Sequence, residues 1–203
     1  VVTTSVLDII IKKLKKENLS FPYSAVISGL IIGSIASFED PLYVPLLAAI
    51  VAILSKHVIK YKVYHVFNPA TFGLLASFLL FSRFDSWWAA VPYLIPFLVI
   101  ISWKIRKLWL SITFLIAYVL LTYFTDNLRL QAFTDFLSLP YYFAFIMAVE
   151  PKTTPSTRNQ QIVFGISLAI LLFLLAFVFR LPYAIFISLL LTNLGYFVYR
   201  IKS

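Results

Sequence analysis

Two polar segments contain the residues whose types and spacing are best suited to binding a ligand. The first is His65–Gly73, in which Asn68 is followed directly by Pro69. Asparagine caps the free amides of a helix and proline takes its first position, so this pair predicts a helix N-terminus. Such a terminus exposes unpaired N–H groups and partial positive charge, which suit an anionic or carbonyl-rich ligand. Alternatively, the pair marks only where an apolar helix begins.

The second segment is Met147–Gln161, which is dense in hydroxyl and amide groups. Glu150 ends an apolar run, and Pro151 cannot continue that helix without a break. The pair Thr154 and Pro155 repeats the cap-plus-proline arrangement and predicts that the next helix opens there. The alternative is an ordinary cytoplasmic loop, in which Lys152 and Arg158 reflect only the excess of basic residues on that side of the membrane.

Both segments share one plan: an apolar run, a polar residue, a proline, hydroxyl residues and then a glycine in the next apolar run (Gly73 and Gly165). Internal duplication of this kind is common in transporters, whose sites form where repeats meet. We therefore predict an internal repeat with broken or re-entrant helices.

Several other kinds of chemistry lack the residues they need. The chain has no cysteine, which excludes disulfides, thiolate metal sites and cysteine-ligated iron–sulfur clusters. Its two histidines, His57 and His65, fall in or beside a basic loop, so we expect no haem. The sequence contains no nucleophile–base pair, metal-ligand cluster or phosphate loop, and we predict no catalytic residue of its own.

The composition indicates a membrane protein. Hydrophobic residues make up 62% of the 203 positions, charged residues 12%, and the mean hydropathy is +0.95. A soluble domain of this size has too few polar residues to cover so much apolar surface. In a bilayer the lipid-facing positions are apolar instead. We predict an all-α, polytopic helical bundle in which residues 1–20 form an amphipathic basic segment and residues 21–203 a single transmembrane domain.

Eight apolar runs are candidates for membrane-spanning helices, which need about 20 residues each. They are residues 22–38, 41–56, 67–82, 87–103, 108–124, 135–149, 161–179 and 182–199. Within the first run, Gly29 and Gly33 form a small-xxx-small face that allows two helices to approach closely. We favour packing inside one subunit over a dimer seam as the role of this face.

The distribution of positive charge predicts the orientation. With eight crossings and a cytoplasmic N-terminus, the outer segments hold three of the 17 basic residues (Arg83, Arg129 and Arg180). They also hold five of the eight acids (Glu39, Asp40, Asp85, Asp126 and Asp135). The other 14 are inside: Lys12, Lys13, Lys15, Lys16, Lys56, Lys60, Lys62, Lys104, Arg106, Lys107, Lys152, Arg158, Arg200 and Lys202. Cytoplasmic loops carry this excess, so the net charge of +9 does not indicate nucleic acid. We predict a multi-pass protein of the cell membrane with both termini in the cytoplasm.

Three signatures in order resemble the RnfD/NqrB family. They are Ser28–Gly33 with Ile53–Lys56 and Phe67–Ala70, then Met147–Pro151 with Thr153, Thr154 and Gly165, then Leu189–Asn193. The resemblance covers residues 24 to 198. It implies a membrane subunit of a flavin-linked, ion-pumping electron-transfer complex. Members of this type carry FMN on a threonine in a Ser-Gly-Ala-Thr motif. This chain lacks that motif and is shorter, so the resemblance implies non-covalent FMN or riboflavin at most.

On this basis the two polar segments are expected to hold a flavin or quinone-like ring. Amide and hydroxyl groups would bond the ring edge, Phe67 would pack on its face, and Lys152 and Arg158 would stabilise a reduced ring or a phosphate. The predicted contacts are Phe67, Asn68, Thr71, Glu150, Lys152, Thr153, Thr154, Thr157 and Arg158. The partners would be the lipid bilayer, further subunits and a soluble flavoprotein reductase. The alternatives are a transporter or channel for a flavin or small polar solute, and a scaffold for a partner complex.

Overall fold

The computed structural model describes residues 1–18, 20–61, 64–123 and 141–202. Apart from one short hairpin, the regular structure in these residues is helical. The chain divides into two compact units, Val1–Trp88 (unit 1) and Ala89–Ser203 (unit 2). The all-α prediction is therefore confirmed. Residues 135–140 of the predicted sixth span, together with Lys62, Asp126 and Arg129, lie outside the described residues.

Unit 1 contains four helices: α1 (Val2–Leu14), α2 (Tyr23–Ile35), α3 (Tyr43–Val58) and α4 (Pro69–Phe81). Strands β1 (Lys60–Tyr61) and β2 (Tyr64–His65) pair antiparallel between α3 and α4, with Lys60 opposite His65. The predicted amphipathic basic segment is a helix, and its two buried side chains are the polar Thr4 and Asp8.

Close helix packing in unit 1 depends on small residues. A Cβ on Gly73 of α4 would meet the carbonyl oxygen of Ala48 and lie 2.9 Å from the Cβ of Ala52, both on α3. The hydroxyl of Ser77 donates to the carbonyl oxygen of Val44 at 2.7 Å. A Cβ on Gly29 of α2 would likewise meet Thr4 of α1. Gly29 thus packs within the chain, whereas a Cβ on Gly33 would meet nothing within 4 Å among the described residues, so the role of the whole face stays a prediction.

Unit 2 begins with a 3₁₀ turn (Pro92–Leu94) followed by α5 (Ile95–Lys104) and α6 (Leu108–Tyr123). After the undescribed residues come a π-helical turn (Phe143–Met147), α7 (Arg158–Phe173), a second π-helical turn (Leu174–Val178) and α8 (Ala184–Lys202). Gly165 of α7 faces α6, where a Cβ would meet Thr113 and lie 2.7 Å from the carbonyl oxygen of Leu110. Both units therefore contain helices that pack closely through a glycine.

Among the described residues, two helices are long and apolar enough to cross a membrane by length and composition, Arg158–Val178 and Ala184–Lys202. Five shorter apolar helices coincide with the first five predicted spans: Tyr23–Ile35, Tyr43–Val58, Pro69–Phe81, Pro92–Lys104 and Leu108–Tyr123. At 1.5 Å per residue, the 13 residues of α2 or α4 measure about 20 Å, against a hydrocarbon core of about 30 Å. The helix positions are confirmed, whereas eight crossings stay a prediction.

Candidate functional site

The Asn68–Pro69 helix start is present as predicted. The side-chain oxygen of Asn68 accepts a hydrogen bond from the backbone N–H of Thr71 at 3.0 Å, and Pro69 is the first residue of α4. The hairpin between α3 and α4 brings the chain to this point. Asn68 and Thr71 are buried, while Phe67 is half-buried and its ring stacks on Phe72 with centroids 5.6 Å apart.

Thr71 carries the clearest sign of a polar site in this group. Its side chain is fully buried, and its hydroxyl has no hydrogen-bond partner among the described residues. A buried hydroxyl without a partner costs roughly 1–3 kcal/mol, so a position of this kind calls for a bound polar group. The hydroxyl of Thr71 and the side chain of Asn68 are therefore the polar groups of this segment that are best suited to a ligand.

The prediction that Thr154 and Pro155 open the next helix is wrong. Helix α7 begins three residues after Pro155, at Arg158, and its N-cap residue Thr157 makes no side-chain capping bond. The hydroxyl of Thr154 instead donates to the carbonyl oxygen of Glu150 at 2.6 Å. Because the hydroxyl closes the preceding turn, it is not available to cap α7.

The predicted residues of the second segment therefore bond mainly to one another. The hydroxyl of Thr153 lies 3.4 Å from both the carbonyl oxygen and the carboxylate of Glu150. Both threonines are buried, and Glu150 is half-buried. Their hydroxyl protons are directed at Glu150, so they do not fit the predicted role as donors to a ring. Glu150 is thus the residue on which the hydroxyls of this turn converge.

Lys152, Thr157 and Arg158 are exposed. The guanidinium of Arg158 lies over the ring of Trp109, 3.8 Å from its centroid, in a cation–π contact. The three residues thus form a polar, cationic surface next to the buried turn.

Two residues outside the predicted set hold the Glu150–Pro155 turn in place. Lys107, between α5 and α6, is 4% exposed, and its ammonium group donates to the carbonyl oxygens of Thr154 (3.1 Å) and Pro155 (2.6 Å). The side-chain amide of Gln161 donates to the carbonyl oxygens of Arg106 (2.8 Å) and Ser156 (3.1 Å). The turn is therefore a fixed part of unit 2.

Lys107 makes the stability of unit 2 depend on pH. Burial, with a contribution from the charge of Arg200, lowers the pKa of Lys107 to about 8, against about 10.4 in an unfolded chain. Between these values the folded state binds fewer protons than the unfolded state, so stability rises with pH through that window. We expect the melting temperature of the detergent-purified protein to rise by a few degrees between about pH 7.5 and 9.5.

The matched measurement uses Lys107→Met, which keeps the length of the side chain and removes the titrating group. This variant should lose the pH-dependent gain, whereas Lys104→Met, a change at an exposed lysine of the same loop, should keep it. An equal rise in all three proteins would show that another group causes it.

Asp8 is the centre of a buried ion cluster that has a separate role. Its carboxylate is fully buried and accepts from the ammonium groups of Lys56 (2.8 Å) and Lys12 (3.0 Å), and it is 2.8 Å from Nε2 of His57. Lys15 also donates to the carbonyl oxygen of His57. The ion pairs of this cluster link α1 to the C-terminal end of α3.

The cluster stabilises the negative charge of the Asp8 carboxylate and so lowers the pKa of this group. Burial alone would raise that pKa, but the hydrogen bonds from Lys56, Lys12 and His57 outweigh the effect and lower it to about 2. Since the folded value lies below the ordinary one, the carboxylate stabilises unit 1 near neutral pH and loses that contribution as the pH falls towards 2.

The nine predicted contacts fall into two groups. Phe67, Asn68 and Thr71 belong to unit 1, and the six from Glu150 to Arg158 belong to unit 2. Their combination into one site stays a prediction. No family model matches the chain, and neither does any curated protein.

Proposed function

We propose that this chain is a multi-pass membrane protein that binds a flavin or quinone-like ring non-covalently and acts as the membrane subunit of a flavin-linked electron-transfer system. The membrane assignment is carried by apolar side chains that face outward on helices without charge. Helix α4 contains no charged residue and exposes Leu79 (57%) and Leu80 (66%), and α6 exposes Ile116 and Leu120.

Such surfaces are a liability in water and are the expected surface in lipid. The two long apolar helices, α7 with its π turn and α8, support the same assignment. We propose eight crossings with both termini in the cytoplasm, on the basis of the charge distribution.

The ligand assignment rests on the buried hydroxyl of Thr71 beside the capping amide of Asn68. When bound, a flavin would supply the electron chemistry, because the chain has no cysteine-based redox group of its own. The chain would bind the ring edge through Asn68 and Thr71 and shield one face with Phe67. A soluble flavoprotein reductase would deliver electrons.

One observation favours a second candidate function. Each compact unit contains one of the two proline-containing segments, followed by a helix that packs through a glycine. Paired units of this kind are the plan of many secondary transporters. The second candidate is therefore a transporter of a flavin or small polar solute that uses the same groups without a redox step.

The first test is the absorbance spectrum of the detergent-purified protein before and after acid precipitation. Flavin bands that pass into the supernatant support non-covalent binding, whereas bands that stay with the pellet contradict it. If the protein is colourless, and flavin uptake into vesicles proceeds without an electron donor, the transport function replaces the redox one.

Substitutions at Asn68 and Glu150 test the site itself. Asn68→Ser keeps a capping oxygen and removes the amide, and Glu150→Gln keeps the shape and removes the charge. The loss of one ligand hydrogen bond should weaken FMN or riboflavin binding by about 2- to 10-fold, measured by quenching of flavin fluorescence. The control Asn18→Ser changes an exposed amide. If both site variants bind as the parent does, the proposed site is wrong.

A further inference from the structure

An apolar groove runs between α7 and α8 in unit 2. Its volume is about 490 Å³, within the range of pockets that hold small ligands. Val163 and Leu171 line it from α7, and Leu191 and Gly195 from α8. Val163 is 64% exposed and Leu191 44%, so the groove opens to the outside of the helix pair.

One end of the groove is polar, and the rest is mainly apolar apart from the hydroxyl groups of Ser167 and Thr192. Asn159 and Gln160, at the start of α7, line this end together with Tyr199, near the end of α8. Val163, Leu171 and Leu191 continue it without a charged side chain. The groove therefore has the polarity of an amphiphile with one head group and one hydrocarbon chain.

The polar end is also positively charged. The guanidinium of Arg200 lies 5.7 Å from the ring centroid of Tyr196, which lines the groove. The guanidinium of Arg158, at the start of α7, lies instead over the ring of Trp109. Arg200 therefore places a positive charge beside the groove, which favours a head group with negative charge.

Gly195 keeps the groove open. A Cβ on Gly195 would meet nothing within 4 Å among the described residues, in contrast to the closely packed Gly165 on α7. The space beside Gly195 is therefore available to a ligand chain, and a larger side chain there would occupy the groove without contacting the backbone.

We propose that the groove between α7 and α8 binds an anionic phospholipid, with an acyl chain along Val163, Leu171 and Gly195 and the phosphate at Arg200. The proposal rests on the membrane location proposed above. Basic pockets between transmembrane helices on the cytoplasmic side are suited to anionic head groups. A zwitterionic lipid would bring its cationic choline group close to Arg200, and an isoprenoid quinone carries no negative charge, so both would fit the cationic end less well than an anionic lipid.

The experiment measures binding of phosphatidylglycerol and phosphatidylcholine to the detergent-purified full chain by native mass spectrometry. The parent should retain phosphatidylglycerol about fivefold or more over phosphatidylcholine, since each cation at a membrane surface contributes about 1 kcal/mol. Gly195→Leu should weaken phosphatidylglycerol binding about tenfold by filling the groove. Arg200→Gln should remove most of the head-group preference while retaining chain binding.

The matched control is Gly33→Leu, because a Cβ on Gly33 in unit 1 also meets nothing within 4 Å among the described residues. This variant should bind lipid as the parent does. Unchanged phosphatidylglycerol binding in Gly195→Leu would overturn the proposal, since the retained lipid would then be a non-specific shell. Equal retention of the two lipids, or displacement of phosphatidylglycerol by a quinone at matched concentration, would show that the groove does not select an anionic lipid.

Failure of this inference is distinguishable from failure of the proposed function. Flavin release and quenching report on the Asn68 site in unit 1, whereas lipid retention reports on the groove in unit 2. If lipid selectivity is absent while flavin binding is intact, only the proposal of lipid binding in the groove is overturned. A protein that remains in solution without detergent would overturn the membrane location and the groove proposal with it.

Discussion

Replacing Asp8 by asparagine should destabilise unit 1 by about 3 kcal/mol or more, because it removes the counter-charge of the buried Lys56 and the half-buried Lys12. The carboxylate is fully buried, so water does not replace it. Since this cluster joins α1 to α3, α1 should detach before the rest of the unit unfolds. The measurement is the melting temperature in detergent, together with the rate of proteolysis after Lys12 and Lys13.

Glu17→Gln is the matched control, because it makes the same change in charge at an exposed pair. Glu17 lies 3.6 Å from Lys60, with both side chains more than a third exposed, so the loss should stay below about 1 kcal/mol. Adding Lys56→Met to Asp8→Asn should restore part of the lost stability, since it removes an uncompensated charge. Equal melting temperatures for Asp8→Asn and Glu17→Gln would contradict the structural role of the cluster.

Gly73→Ala and Gly165→Ala should each destabilise the protein by about 3 kcal/mol or more. An added methyl group meets backbone atoms in both cases, the carbonyl oxygen of Ala48 for Gly73 and that of Leu110 for Gly165. Backbone cannot move aside as the end of a flexible side chain can, so the helices must separate. The measurement is the melting temperature, with size-exclusion chromatography to detect loss of the folded species.

The chain provides its own controls at Gly33 and Gly195, where an added Cβ meets nothing within 4 Å among the described residues. No glycine in the described residues has a positive φ angle, so alanine introduces no backbone strain. Gly33→Ala and Gly195→Ala should leave stability unchanged or raise it by up to about 1 kcal/mol through helix propensity. If all four variants have the same melting temperature, close packing at Gly73 and Gly165 does not contribute to stability.

Features that depend on neighbouring residues could be predicted from the sequence. Asn68 and Pro69 are within one turn of the amide that Asn68 caps, so local chemistry decides the outcome. The same reasoning failed for Thr154 and Pro155, because the Thr154 hydroxyl had two possible partners. The fold of the turn gives it the carbonyl of Glu150 instead of an amide of α7.

Features that depend on distant residues could not be predicted. Lys56 and Lys107 were assigned to cytoplasmic loops by their charge, and both are buried. Lys56 binds Asp8, 48 positions away, and Lys107 binds the carbonyl of Thr154, 47 positions away. No pattern within a short stretch of sequence indicates that two such distant residues will meet. The burial of Asp8 was missed for the same reason, since its i,i+4 neighbour Lys12 suggests an ordinary exposed pair.

The π-helical turn at Leu174–Val178 gives one part of the chain an unusual tolerance to changes of length. A π turn holds one residue more than the α-helical turn it replaces. A one-residue deletion there converts it to a regular turn, and the packing of Arg158–Phe173, which precedes the turn, keeps its register. The same deletion within Arg158–Phe173 rotates all later side chains by about 100° around the helix axis. In an alignment of related chains, a single-residue gap in this helix therefore belongs at the π turn.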